Sequence, residues 1–353
     1  MKEAEVLDQA IEAFGKETGL RLLVIQREVF LNGHYIDAEI ELPEGGKRVF
    51  VEVKKWAQHA NVGALVDQVK RLPGEGLLVA DYVNPKMAKR LKDLKVQFID
   101  AAGNAFVNQL PLYVYVTGKK QREDKKTRHE MTNRAFDVAG LKVIFGLLCD
   151  AELVDAPYRV IAEETGVALG TVGGIVNDLK DAGYILDRGG KRGRKLVNQR
   201  RLLDRWVEAY PEKLRPKLRV GDFINDDPYW WEDFHLEQFG AYWGGEVAAA
   251  KYVGYLKPEV ITIYLPEHTG AQLMGKARLR KAVERTLDDP GIVRIYRPFW
   301  PGEKENKFRT VKGEQIVHPI LIYADLLATG DGRNLETARI VYDKHIAEYI
   351  RED

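Results

Sequence analysis

The sequence predicts a multidomain protein of mixed α/β and α+β class. Three observations indicate this class. Residues up to about 118 alternate strand-like and helix-like patterns, which suits a mixed sheet with helices on both faces. A run of short helices follows, and the region from about residue 206 mixes strands and helices again. A chain of 353 residues is long enough for two or three such domains.

Composition limits the classes of function. Hydrophobic residues make up 45% of the chain and charged residues 30%, which is typical of a soluble globular protein. No segment is long and apolar enough to span a bilayer, so no membrane partner is expected, and the charged N-terminus does not resemble a signal peptide. The single cysteine, Cys149, predicts no internal disulfide and fits a reducing cytoplasm. A net charge of +1 implies that nucleic acid would be bound by local patches only.

The first predicted domain covers residues 1–118, and its pattern gives the order α-β-β-β-α-β-α-β. An apolar stripe predicts a first helix that ends at Gly15 or Gly19. Strands are predicted at residues 20–30, 35–42, 48–56, 76–82 and 96–100, with a further strand at 112–116. Helices are predicted at residues 61–72 and 85–94. The helix at 85–94 is amphipathic and basic.

The strands at 35–42 and 48–56 are the central feature of this domain. Both alternate polar and apolar residues, and the turn sequence PEGG between them predicts a hairpin. Because successive side chains point to opposite faces, Asp37 shares a face with Glu52 and Lys54 after folding. Glu39 lies on the same face as Asp37 and competes with it for the role of first acid.

Two carboxylates and a lysine in this arrangement suit phosphodiester hydrolysis. Asp37 and Glu52 would bind Mg²⁺ through oxygen, and Lys54 would orient the attacking water. An ordinary half-solvated sheet face explains the same pattern, so this alternative stays open. Candidate accessory residues are Glu12 and Glu17 on the first helix and Gln68 and Lys70 on the second, where solvation is the favoured interpretation.

This arrangement resembles the PD-(D/E)xK nuclease superfamily. Asp37 matches the first acid, and Glu52-Val53-Lys54 matches the ExK element. Ile36 stands where the superfamily often has proline. The resemblance implies a Mg²⁺-dependent DNA endonuclease, with Asp37, Glu52 and Lys54 as catalytic residues and the two acids as metal ligands.

A charged linker is predicted at residues 119–134, followed by a winged helix-turn-helix at 135–205. The linker contains a charge run, KKQREDKKTR, which is typical of a solvated domain boundary. The sequence IAEETGVALGTVGGIVNDL, residues 161–179, is similar to bacterial helix-turn-helix domains. A Gly-rich basic hairpin, the wing, follows at residues 188–194.

Double-stranded DNA is the partner that this region predicts. The third helix would enter the major groove with Thr171 and Asn177. Cations in and beside the wing would neutralise phosphates. These cations are Arg188, Lys191, Arg192, Arg194 and Lys195. Winged helices also mediate protein contacts, so that interpretation remains the alternative.

The third domain, residues 206–353, is predicted as α/β. Four of its short runs carry a resemblance to the AbiEi family of type IV toxin–antitoxin antitoxins: WGGEVAA at 243–249, YLKPE at 255–259, HPILIYADLL at 318–327 and GDGRNLETA at 330–338. The resemblance implies binding to the promoter of its own operon and a nucleotidyltransferase-like toxin partner. The paired glycines 244 and 245 at a predicted helix start could receive an anion, and Asp325, Arg333 and Glu336 are expected to be structural.

Three hypotheses follow from the sequence. The first is an antitoxin-like transcriptional regulator, the second is an endonuclease delivered to DNA by the winged helix, and the third is an adaptor that binds a protein. A winged helix that reads an inverted repeat would suggest a homodimer.

Overall fold

The computed structural model of the protein describes residues 3–31, 34–43, 45–55, 59–120, 134–189, 193–282, 291–301 and 315–350. The chain forms two compact units, residues 1–131 and 132–353. In the described ranges, no helix is both long and apolar enough to cross a membrane.

The first unit contains three helices and seven strands in its described part. They are α1 Glu3–Thr18, β1 Leu23–Leu31, β2 His34–Glu41, β3 Arg48–Lys54, α2 Val62–Arg71, β4 Gly76–Ala80, α3 Pro85–Asp93, β5 Gln97–Asp100, β6 Ala105–Gln109 and β7 Leu112–Val116. The strands form one sheet in the order β1-β2-β3-β4-β5-β6-β7. Strand β4 is parallel to β3 and β5, and the other neighbours are antiparallel. The predicted mixed α/β character is therefore confirmed.

The two faces of this sheet differ in what covers them. Helix α1 buries Val6, Leu7 and Phe14 against the face that carries Val51 and Val79. We call this the α1 face. The opposite face, called the Glu52 face, carries one row of residues in register across five strands. The row runs Glu52, Leu78, Phe98, Phe106, Tyr115.

A buried carboxylate fixes the chain after β5. Asp100 accepts hydrogen bonds from the backbone N–H of Val83, Ala102 and Asn104. It also accepts one from the side-chain amide of Asn104, and burial of the carboxyl raises its pKa. The segment from Asp100 to Asn104 therefore has a structural role in joining β5 to β6.

The second unit begins with helices and a small hairpin. These are α4 Val138–Cys149, α5 Tyr158–Thr165, α6 Leu169–Asp181, β8 Ile185–Asp187, β9 Arg194–Leu196 and α7 Gln199–Ala209. Gly166 ends α5 in the left-handed conformation, with φ at 63°, which allows the tight turn into α6. Helix α6 buries Val172, Val176 and Leu179, and β8 pairs antiparallel with β9.

The rest of the unit is a second sheet with helices. Its elements are α8 Arg215–Leu218, β10 Arg219–Ile224, β11 Tyr242–Gly244, α9 Gly245–Val253, β12 Val260–Tyr264, α10 Gly270–Lys276, β13 Arg280–Lys281, β14 Ile292–Tyr296, α11 Pro319–Leu327 and α12 Gly332–His345. The sheet order is β11-β12-β14-β10-β13, and only β12 and β14 pair in parallel among these described strands.

Pro211 does not end the helical path that begins with α7. A π-helical turn, Tyr210–Leu214, follows α7 and leads directly into α8. Proline is tolerated there because a proline at the start of a new helical turn needs no N–H donor. The predicted domain boundary between residues 205 and 206 falls inside α7, whose Trp206 indole N–H donates to the Leu141 carbonyl of α4 at 2.8 Å.

Candidate functional site

Three side chains that the sequence predicted as catalytic lie together on the Glu52 face. Strands β2 and β3 pair from Ala38 opposite Val51, which places Asp37 beside Glu52. The Asp37 Oδ2 atom accepts the Val53 N–H at 2.7 Å. The Lys54 Nζ atom lies 2.9 Å from the Glu52 Oε1 atom, and both side chains are more than four-fifths buried.

These surroundings disfavour the ionised form of Asp37. Burial, together with the nearby negative charge of Glu52, raises the pKa of Asp37 from 3.8 to about 7. The Val53 N–H and the Lys54 charge act in the opposite direction but only partly offset the increase. A carboxyl with such a pKa next to a second acid is more often found at functional sites than on an ordinary sheet surface.

Carboxylate oxygens such as those of Asp37 and Glu52 are the ligands that a hard divalent cation prefers. A cation between them would favour the ionised form of Asp37, in competition with the Lys54 ammonium that already lies 2.9 Å from Glu52. In the described ranges, no group of three or more His, Cys, Asp or Glu side chains is placed to hold a metal. A Mg²⁺ ion at this pair would therefore keep several of its waters.

Glu3 is an acid near this pair that the sequence analysis missed. It lies in the first turn of α1, and its charge contributes to raising the pKa of Asp37. The two acids proposed instead are engaged elsewhere, since Glu12 pairs with Lys16 and Glu17 pairs with Lys119. No periodicity in the sequence links Glu3 to Asp37, because their approach depends on how α1 crosses the sheet.

The other accessory candidates divide between the interior and the surface. Gln68 on α2 is only 5% exposed, whereas Lys70 points to solvent. The Glu39 carboxylate lies 3.4 Å from the Arg48 guanidinium and opposite Phe50 in register. Glu39 therefore lies one residue pair away from Glu52, and Asp37 is the better placed first acid.

The predicted DNA-reading residues of α6 are accessible. Thr171 and Asn177 are both exposed on the solvent side of the helix. The only cation of this helix, Lys180, is paired with Asp187 at 2.7 Å. Asp181 is also exposed, so the helix itself brings no excess positive charge to a phosphate backbone.

The basic residues of the hairpin have different roles. Arg188 and Lys195 are exposed. The Arg194 guanidinium instead donates to the Ala156 carbonyl at 2.6 Å and lies over the Tyr158 ring. The Arg194 backbone N–H donates to Asp155, so this residue fastens the hairpin to the start of α5. Lys191 and Arg192 lie outside the described residues.

The anion that a Gly-Gly helix start could receive comes from the chain itself. The Gly245 N–H donates to the buried Asp325 carboxylate of α11. Asp325 also accepts from the hydroxyls of Tyr210 and Tyr264, at 3.1 and 2.9 Å. Its carboxylate lies 3.2 Å from Arg215, which forms a buried ion pair.

A second buried carboxylate joins α9 to α12. The Glu246 carboxylate accepts from the Asn334 side-chain amide and from the Glu259 N–H, at 2.8 and 2.7 Å. Arg333 reaches both Glu246 and Glu259. Glu336 accepts from the Tyr255 hydroxyl. Asp325, Arg333 and Glu336, which were expected to be structural, thus each contact other side chains of the second unit.

Comparison with known protein families gives a match in the second unit. Residues 195–347 match the family described as "Transcriptional regulator, AbiEi antitoxin, Type IV TA system". The resemblance to AbiEi antitoxins is therefore confirmed for this part of the chain. The match includes all four runs on which the resemblance was based, and it leaves α1 to α6 outside. Comparison with curated proteins and with solved structures gave no match.

All four runs supply residues that hydrogen-bond to one another. The first run supplies Gly245 and Glu246, the third supplies Asp325, and the fourth supplies Asn334. The hydrogen bonds above connect these residues to one another across α9, α11 and α12. The runs are thus the contact residues of one packed core.

Proposed function

We propose that the protein is a DNA-binding transcriptional regulator of the AbiEi antitoxin kind. The observation that carries this proposal is the family match over residues 195–347. It is supported by the order of elements before and at the start of the match, three helices followed by a two-stranded hairpin, which is the order that a winged helix-turn-helix would have.

In this proposal, α6 lies in the major groove of operator DNA. Thr171 and Asn177 contact base edges, and the hairpin contacts phosphates through Arg188 and Lys195. Lys191 and Arg192 belong to the same hairpin in sequence and are assigned the same role. Arg194, which was also expected to contact DNA, is assigned a role in positioning the hairpin because of its contacts with Ala156 and Tyr158.

The test is binding of the full chain to the DNA directly upstream of its own gene, measured by fluorescence anisotropy at several salt concentrations. The double variant Arg188→Ala/Lys195→Ala should weaken binding and reduce the slope of log K against log salt by about 2, because each phosphate contact contributes about 0.9. Lys276→Ala is the control, since Lys276 bonds the Gln238 amide away from the hairpin. Equal slopes for wild type and double variant would refute the hairpin's role.

Two partners belong to this proposal. The first is a nucleotidyltransferase-like toxin, as the antitoxin family implies. The second is another copy of the chain, because an operator with an inverted repeat would be bound by a homodimer. Light scattering of the protein with and without operator DNA measures the copy number, and a 1:1 complex on an inverted repeat would contradict the homodimer.

A second candidate function is a Mg²⁺-dependent DNA endonuclease of the PD-(D/E)xK kind. The specific observation in its favour is the convergence of Asp37, Glu52 and Lys54 with a raised Asp37 pKa. When bound by the two acids, Mg²⁺ would stabilise negative charge on the scissile phosphate. Lys54 would hold the attacking water beside that phosphate, and Glu52 would fix the position of the lysine.

Cleavage of supercoiled and branched DNA with Mg²⁺ or Mn²⁺ tests this candidate. Glu52→Gln and Lys54→Ala should each abolish cutting, whereas Glu39→Gln on the same face should retain it. Cutting that survives in Glu52→Gln would exclude this site. Binding of operator DNA without any cutting would leave the regulator as the sole function.

A further inference from the structure

Helix α3 and the turn after it form a strongly basic segment of the first unit. Residues 85–95 contain five cations and one acid. The cations are Lys86, Lys89, Arg90, Lys92 and Lys95. We call this segment the α3 cation row.

The helix separates its apolar and basic sides. Met87, Ala88 and Leu91 are buried, each with no exposed surface, and hold the helix on the sheet. Lys86 and Lys89 are exposed, and neither has a carboxylate partner in the described part of the chain. The Lys92 ammonium lies 3.9 Å from the centroid of the Tyr115 ring. The charges of Lys86 and Lys89 are therefore available to a partner.

The row lies on the same face of the sheet as the candidate catalytic residues. Lys92 contacts Tyr115 and Phe106, which are in register with Glu52 across the sheet. Three strand spacings of ~4.8 Å separate β3 from β6, so α3 lies about 15 Å from Glu52. The helix also starts at the same end of the sheet, because the segment that leads into it begins with the Asp81 N–H bonded to the Lys54 carbonyl.

The opposite face has the opposite charge. Helix α1, which covers that face, contains five acids and one cation. The acids are Glu3, Glu5, Asp8, Glu12 and Glu17, and the cation is Lys16. Since the whole chain has a net charge of only +1, this division between two faces is local. A polyanion would be attracted to the α3 side and repelled from the α1 side.

We propose that the α3 cation row binds the phosphate backbone of DNA. The row gives the first unit its own DNA contact, separate from α6 and its hairpin. The contact depends on charge alone, so it adds affinity for DNA of any sequence and requires no cleavage.

The experiment measures binding of the full chain to a random-sequence duplex between about 50 and 200 mM salt, a range in which counterion release has a large effect on affinity. The test variant is Lys86→Gln/Lys89→Gln, and glutamine keeps the helix propensity. The matched control is Lys16→Gln/Arg27→Gln, which removes the same charge from the α1 side, where Arg27 pairs with Asp8.

The test variant should reduce the slope of log K against log salt by about 2 and weaken binding at least tenfold at low salt, while the control keeps both values. Equal slopes for wild type and test variant would overturn the proposal, and so would an absence of DNA binding by the wild type. Binding to poly-glutamate is measured as well. If the test variant loses that binding while its DNA binding is unchanged, the row binds an acidic protein and the proposal is overturned.

Discussion

Asp37→Asn should stabilise the first unit at neutral and alkaline pH. The folded pKa of Asp37 is about 7, above its ordinary value of 3.8. The folded state therefore binds the Asp37 proton more tightly than the unfolded state does. Stability from this group is fully present below about pH 4 and is lost as the pH rises through 7. Asparagine carries no charge and can still accept the Val53 N–H.

The size of the effect follows from the two pKa values. The difference between 3.8 and about 7 corresponds to about 4 kcal/mol above pH 7. Asp37 keeps some solvent contact and titrates together with Glu52, so screening reduces this upper limit, and we expect about 2 kcal/mol. The gain should vanish near pH 4.

Hydrogen-exchange mass spectrometry of the full chain measures this gain, because peptides of β2 and β3 report the opening of the first unit separately. Opening free energies of wild type and Asp37→Asn are compared at pH 5 and pH 8. Glu39→Gln is the control and loses only the partly exposed pair with Arg48, so it should change stability by less than about 1 kcal/mol at either pH. Equal or lower stability of Asp37→Asn than of wild type at pH 8 would refute the raised pKa assigned to Asp37.

Three predictions concern the second unit. Arg215→Met leaves the buried Asp325 carboxylate without its cation, so thermal unfolding should show a loss of about 3–5 kcal/mol, most of which Arg215→Met/Asp325→Asn should recover. Burial lowers the pKa of His318 to about 3, so stability should fall by roughly 2–3 kcal/mol between pH 7 and 4.5, and His318→Asn should remove that pH dependence. Gly193→Ala would place a Cβ 2.0 Å from the Asp155 carboxylate at a φ of +64°, so it should weaken DNA binding by displacing the hairpin, and unchanged affinity would contradict that.

The shared face of Asp37 and Glu52 could be predicted from the sequence because strand periodicity is a local property. Alternation along residues 35–42 and 48–54 assigns Asp37 and Glu52 to one face without any knowledge of the rest of the chain. This prediction depends on residues that are near in sequence or joined by a short turn.

Contacts between distant segments could not be predicted in this way. The partner of Asp325 is Arg215, more than a hundred residues earlier, and no periodicity links them. Arg194 looks identical in sequence to the exposed wing cations, and only its approach to Tyr158 separates them. Glu3 was missed for the same reason, since its effect on Asp37 depends on how α1 crosses the sheet.

The path of α7 has a consequence for how the second unit unfolds. Trp206 bonds α4 through the Leu141 carbonyl, and one turn later Tyr210 bonds Asp325 beneath the second sheet. No flexible linker separates these two contacts, because α7 continues directly into the π-helical turn. The helices that carry Thr171 and the sheet that carries the family match are therefore expected to melt in a single cooperative transition.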